Sequence, residues 1–133
     1  MKMYTSVRTL LPGAMLVFLC GCAIVDNVSE DGTAGYLSFG FEEAAFRPCG
    51  VDESWWVAAD PEVELWDTYA AVAGDPLGYI RVYARLVGSR SSLGQYGHLG
   101  AYDREFSVTA IVEMREVKGD DCTWPGDVRL GPQ

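Results

Sequence analysis

The amino-acid sequence predicts a mainly β domain: a curved antiparallel sheet of about five strands, closing toward a small β-barrel, with one packed α-helix. Three observations carry that expectation. Apolar and polar residues alternate with a period of two over several segments, one segment alone has the start and stop signals of a helix, and glycine- or proline-rich turns separate these stretches. A flat ββαββ sandwich is the alternative arrangement of the same elements.

The domain is expected to begin near Tyr36, where Leu37, Phe39 and Phe41 alternate with Ser38, Gly40 and Glu42 as in a half-buried strand. Arg47-Pro48-Cys49-Gly50 is turn-rich. Ser54 to Ala58 then reads as a short strand whose alternation sends Trp55 and Trp56 to opposite faces. The helix is expected over Pro61 to Ala73, since Asp60 suits an N-cap, Pro61 the first helical position, and Glu62 and Glu64 the positive end of the dipole. Gly74 supplies a left-handed stop and Pro76 prevents continuation. Val63, Trp66, Ala70 and Ala73, widened by Tyr69, form the stripe expected to pack on the sheet.

Two long strands follow, expected to be antiparallel neighbours. In Tyr79 to Val87, Ile80, Val82, Ala84 and Leu86 share one face, and Tyr79, Arg81, Tyr83 and Arg85 the other. In Arg104 to Val117, Phe106, Val108, Ala110, Val112 and Met114 are read as inward. The Tyr-Arg-Tyr-Arg face fits either a ladder of ion pairs with Glu105 and Glu113 or a ligand-binding sheet face, since tyrosine and arginine together suit glycans and anionic peptides. Between these strands, Gly94, Gly97 and Gly100 bracket Tyr96, Tyr102 and the only histidine, His98. Their spacing matches no phosphate-binding pattern. His98 with Asp103 or Glu105 is a conceivable acid/base pair, and hydrogen bonding of His98 to its own loop backbone is the simpler reading.

The leader has a different character from the domain. Lys2 and Arg8 precede an apolar stretch, Leu10 to Leu19, that is too short to span a bilayer, and Leu19-Cys20-Gly21-Cys22 follows. This resembles the lipobox of bacterial lipoproteins, with Cys20 an uncommon occupant of the second position. The resemblance covers the leader and implies a signal peptide over 1–21 and acylation of Cys22; the polar, small-residue run Asp26 to Gly35 then reads as a tether, so that 22–35 is the lipidated N-terminus and tether, 36–122 the domain and 123–133 a tail. Ala23 rather than aspartate after the cysteine is similar to the pattern that sorts lipoproteins to the outer membrane. More than one acyl chain on Cys22 would hold the chain stably on a membrane.

Without the leader, eight basic side chains face nineteen acidic ones, a balance that repels nucleic acid. Beyond Cys22 only Cys49 and Cys122 remain, and in an oxidising compartment they are expected to form one disulfide. A zinc pair is the competing reading, but no Cys-x-x-Cys is present. Asp120, Asp121 and Asp127 lack the spacing of a calcium loop, and no metal or cofactor is expected.

Gly40-Phe41-Glu42, Phe46-Arg47-Pro48-Cys49, Trp55-Trp56 and the run Tyr96 to Glu105 resemble small bacterial lipoproteins whose order of elements is similar to the OB-like domain of the NlpE envelope-stress lipoproteins. The resemblance implies an OB-like barrel and no more, because the Cys-x-x-Cys and second domain of that family are missing here. The function expected is therefore a lipid-anchored periplasmic module that binds an envelope protein or glycan through Tyr96, His98, Tyr102, Asp103, Tyr79, Arg81, Tyr83 and Arg85. A hydrolase of envelope substrates and a protein inhibitor that inserts loop 94–103 into a cleft are the alternatives.

Overall fold

The computed structural model describes residues 30–119 and 121–122; the leader, Cys22, most of the tether, Asp120 and the tail 123–133 lie outside them. Five strands form a closed barrel: β1 (Thr33–Gly40), β2 (Glu43–Pro48), β3 (Trp55–Ala59), β4 (Val82–Arg90) and β5 (Glu105–Glu116), with α1 (Leu65–Ala73) between β3 and β4. The order around the ring is β1-β2-β3-β5-β4, and β4 closes against β1. This is an OB-like barrel.

One pair departs from the antiparallel expectation: β3 and β5 run parallel, from Trp56 opposite Glu105 to Ala59 opposite Val108. The reason is parity. Directions can alternate all the way round a closed ring only if the number of strands is even, so a five-stranded barrel must contain a parallel pair.

β1 begins at Thr33 rather than at Tyr36, because Thr33, Ala34 and Gly35 pair with Leu86, Arg85 and Ala84 of β4. At its far end, Phe41 and Glu42 make a two-residue turn with Glu42 at φ 58°, so Phe41 leaves the buried row and is 72 % exposed. β2 was hidden by its composition. Ala44, Phe46 and Pro48 point inward, but alanine signals burial weakly and Pro48 reads as a turn residue, although at the last position of a strand its missing N–H costs little.

The helix is shorter than the sequence suggests. Pro61–Val63 form a 3₁₀ turn, Glu64 adopts a left-handed conformation at φ 52°, and the α-helix starts only at Leu65. That reversal breaks the phase between Val63 and the residues after it. The buried stripe is therefore Leu65 and Tyr69, while Trp66 remains 44 % exposed. Asp60 makes no side-chain cap, whereas Gly74 ends the helix as expected, with φ 77° and its N–H donating to the Ala70 carbonyl.

β4 and β5 are neighbours in the expected sense, but β4 starts at Val82, leaving Tyr79, Ile80 and Arg81 in the approach to it. The pairing shifts register twice, between Arg85 and Leu86 and between Val87 and Gly88. Each shift adds a residue to β5, so the inward row runs Phe106, Val108, Ile111, Met114, and the expected inward residues Ala110 and Val112 face out. At the second shift the strands come so close that a Cβ on Gly88 would lie 2.3 Å from the Ser107 carbonyl oxygen.

The core has two tiers. Phe46 and Phe106 stack at 5.3 Å with Trp55 beside them, while at the other tier Tyr69 meets Phe39 edge-on at 4.8 Å. Tyr69 plugs the barrel: it is fully buried, and its hydroxyl donates to the Ile80 carbonyl at 2.6 Å. Leu37, Val82, Leu86 and Val108 fill the space between, each such side chain contributing about 1.5–3 kcal/mol through burial. Cys49 and Cys122 form the disulfide, tying the end of β2 to the segment beyond β5 across 73 residues.

Candidate functional site

The connection from β4 to β5 is a built structure. At its base the Ser91 N–H donates to the Glu105 carbonyl and the Glu105 N–H to Ser91 Oγ, both at 2.8 Å, while Arg104 Nη1 donates to the Ser91 carbonyl. Further out, Gly94 donates to the Asp103 carbonyl, and Tyr96 and Tyr102 exchange two backbone bonds. The loop continues the hairpin and folds back on the barrel wall.

What holds it there is the outward tryptophan. Trp56, on the opposite face of β3 from buried Trp55 as alternation requires, takes Tyr102 edge-on at 5.5 Å. Gly97, at φ 72°, passes so near that an added Cβ would lie 2.4 Å from the Trp56 ring. Burial pushes the Tyr102 phenol above its ordinary pKa, and the Glu43 carboxylate adds to the shift.

His98 meets neither its own loop backbone nor the carboxylates expected for it. Its Nε2 lies 3.2 Å from Glu42 Oε2, in the β1–β2 turn, with both side chains partly exposed. Asp103 and Glu105 instead serve the loop through their main chains. On the other flank of the same turn, the Tyr79 hydroxyl donates to the Phe41 carbonyl at 3.1 Å and its ring covers Gly40. His98 and Tyr79 thus clasp one turn between them. Beyond His98, Leu99 stands 92 % exposed at the loop's tip.

The other candidates sit on the outer wall. Tyr83 is buried there, beneath the Arg115 guanidinium, whose carbon lies 4.1 Å from the ring centroid, and Arg85 reaches Glu113 at 3.9 Å. This part of the Tyr-Arg face is the ion-paired ladder, completed by Arg115, which also grips Asp121 with two bonds of 2.9 and 2.7 Å. The Arg115 fork holds the Asp121 carboxyl below the usual carboxylate range. Arg81 is separate and exposed, on a shallow groove of about 160 Å³ shared with Tyr36, Ser38, Glu43 and Arg47. Tyr36 lies opposite Tyr83 in the β1–β4 ladder, so groove and ladder are contiguous.

The residues group as a wall and two loops. Tyr96, His98, Tyr102 and Asp103 belong to the β4–β5 loop, Tyr79 reaches the β1–β2 turn from the α1–β4 connection, Arg81 belongs to the groove, and Tyr83 and Arg85 to the ladder. Glu42, Trp56 and Arg115 complete the arrangement and were not picked out as site residues, because each acquires its role from a partner distant in sequence. Among the described residues, no three His, Cys, Asp or Glu side chains form a group able to hold a metal. Such a wall, lined by tyrosine, arginine and glutamate, can exchange several directional hydrogen bonds with hydroxyls, amides or carboxylates. No protein-family model, curated protein or solved structure matches this chain.

Proposed function

We propose that this chain is an exported, lipid-anchored binding module without enzymatic activity, tethered by acylated Cys22 to a cell-envelope membrane, on the periplasmic face of the outer membrane. It presents the outer wall formed by β1, β2 and β4, with the β1–β2 and β4–β5 loops beside it, to an envelope protein or glycan. The observation that carries the export half is the Cys49–Cys122 disulfide, since thiol pairs of this kind persist in oxidising compartments and are rare in the cytosol. It joins the leader's lipobox pattern as independent support. For the binding half, the support is that the β1–β2 and β4–β5 loops meet at the His98–Glu42 pair, and these two loops, with the β2–β3 face, are where OB barrels take oligomeric ligands. The acidic balance of the chain argues for a glycan or peptide over an oligonucleotide.

The anchor is tested by mass spectrometry of the N-terminal peptide from membranes: a diacylglyceryl Cys22 is expected, and Cys22→Ser should release the protein from the membrane fraction. An unmodified leader on a reduced, soluble product would refute the anchor. The surface is tested by capturing envelope proteins and glycans with wild type and with Tyr96→Ala/His98→Ala. Loss of one or more ligands from the variant supports the loop surface; identical capture removes it from the proposal.

A further inference from the structure

A second groove lies away from the loop surface, where α1 meets the end of β3. It holds about 480 Å³, within the range of clefts that enclose a short peptide or small molecule. Phe39, Val57 and Leu65 line it, and half-exposed Trp66 stands beside them, edge-on to Phe39 at 5.3 Å. Three carboxylates, Asp60, Glu64 and Asp67, also line the groove, and among the described residues no basic one does.

These acids have an ordinary reading as neutralisers of a helix N-terminus, and the geometry limits it. Neither Asp60 nor Glu64 makes a side-chain capping bond, and among the described residues none of the three has an ion-pair partner. The helix end carries only about half a positive charge. Three carboxylates outweigh it, so a groove of mixed polar and apolar lining is left with a negative mouth.

We infer that this groove docks a basic, apolar segment of a partner polypeptide, with the aliphatic stem of an arginine or lysine on Phe39, Val57 and Leu65 and its charged head at Trp66 among Asp60, Glu64 and Asp67. Charge complementarity selects this occupant. A purely apolar segment would leave the carboxylates facing low-dielectric surface, and an acidic one would be repelled. The aromatic ring adds attraction for a cation, for guanidinium above all, and the apolar floor rewards a long methylene stem over a bare metal ion. The groove is larger than one side chain needs, which leaves room for the residues on either side.

The test uses the full chain in a non-ionic detergent and a capped hexapeptide, Gly-Leu-Arg-Leu-Arg-Gly, followed by calorimetry, with a second peptide in which citrulline replaces both arginines. Saturable binding of the first peptide is expected, at least tenfold tighter than the second and weakening as salt is raised. Glu64→Gln/Asp67→Asn should lower affinity at least fivefold and flatten the salt dependence. Trp66→Ala should lower it about tenfold, while Tyr96→Ala leaves it unchanged. The double carboxylate variant alters only exposed side chains, so it remains decisive if Trp66→Ala folds poorly. Equal binding of the citrulline peptide, indifference to Glu64→Gln/Asp67→Asn, absence of saturation at millimolar peptide, or binding abolished only by Tyr96→Ala would each overturn the inference. Binding abolished only by Tyr96→Ala would move the peptide to the loop surface, and none of these results bears on lipidation.

Discussion

Gly97 sets how closely the β4–β5 loop can lie on the barrel. Its positive φ and the 2.4 Å approach of a hypothetical Cβ to the Trp56 ring act together, so Gly97→Ala should cost about 1–3 kcal/mol in urea unfolding and shift the Trp56 indole resonances. An unchanged midpoint with unshifted resonances would mean that the loop does not pack on Trp56. Arg115 performs the comparable service on the outer wall, stacking on Tyr83 and forking onto Asp121. The folded-state pKa of Asp121 lies below its unfolded value, so the stability it contributes is present above the unfolded pKa and is lost as pH falls through the folded one. Stability curves from about pH 6 down to about pH 2 should therefore fall less steeply in Arg115→Gln than in wild type. Parallel curves would rule out the Arg115–Asp121 pair as a source of acid sensitivity. Neither residue's role is visible in sequence, since Trp56 and Gly97 meet only because the loop returns, and Tyr83 meets Arg115 only across a bulged ladder.

At the scale of elements, alternation located β1, β3, β4 and β5, and the Gly74 stop located the end of α1. The beginnings of elements were less legible. Val63 and Trp66 share a helical stripe on paper, but Glu64 in the left-handed region breaks the helix before Leu65, and the face that reaches the barrel is Leu65 and Tyr69. Leu65→Ala should accordingly destabilise by about 2–5 kcal/mol. Ala71→Ser, on the solvent side, should stay within about 0.5 kcal/mol. Comparable thermal shifts for the two would point to the wrong face. In β5 a single alternating pattern becomes two bulges, and the reason is geometric. A strand that must pair with β4 along most of its length and with β3 along its first residues bends sharply, and extra residues absorb that bend.

For the whole molecule, closure is the organising event. The disulfide fastens the end of β2 to the chain beyond β5, next to the Arg115–Asp121 pair, so it should restrain the unfolded chain more than it shapes the folded one. Cys49→Ser/Cys122→Ser is expected to retain the barrel's circular dichroism while losing about 2–5 kcal/mol of stability. Loss of the fold itself would show that the barrel cannot form without the bridge. The local pattern of side chains already decided that the domain is mainly β, that one helix interrupts the strands, that Trp55 and Trp56 part company, and that Cys49 and Cys122 are a pair. These are matters of period, of turn chemistry and of counting, which need no partner in space. Tertiary structure alone decided that His98 faces Glu42, that Tyr83 lies under Arg115, and that Asp60, Glu64 and Asp67 gather at one groove. The first two contacts join residues far apart in the chain, and the third depends on the left-handed turn at Glu64 and on how α1 seats against the barrel, neither of which a local pattern of side chains expresses.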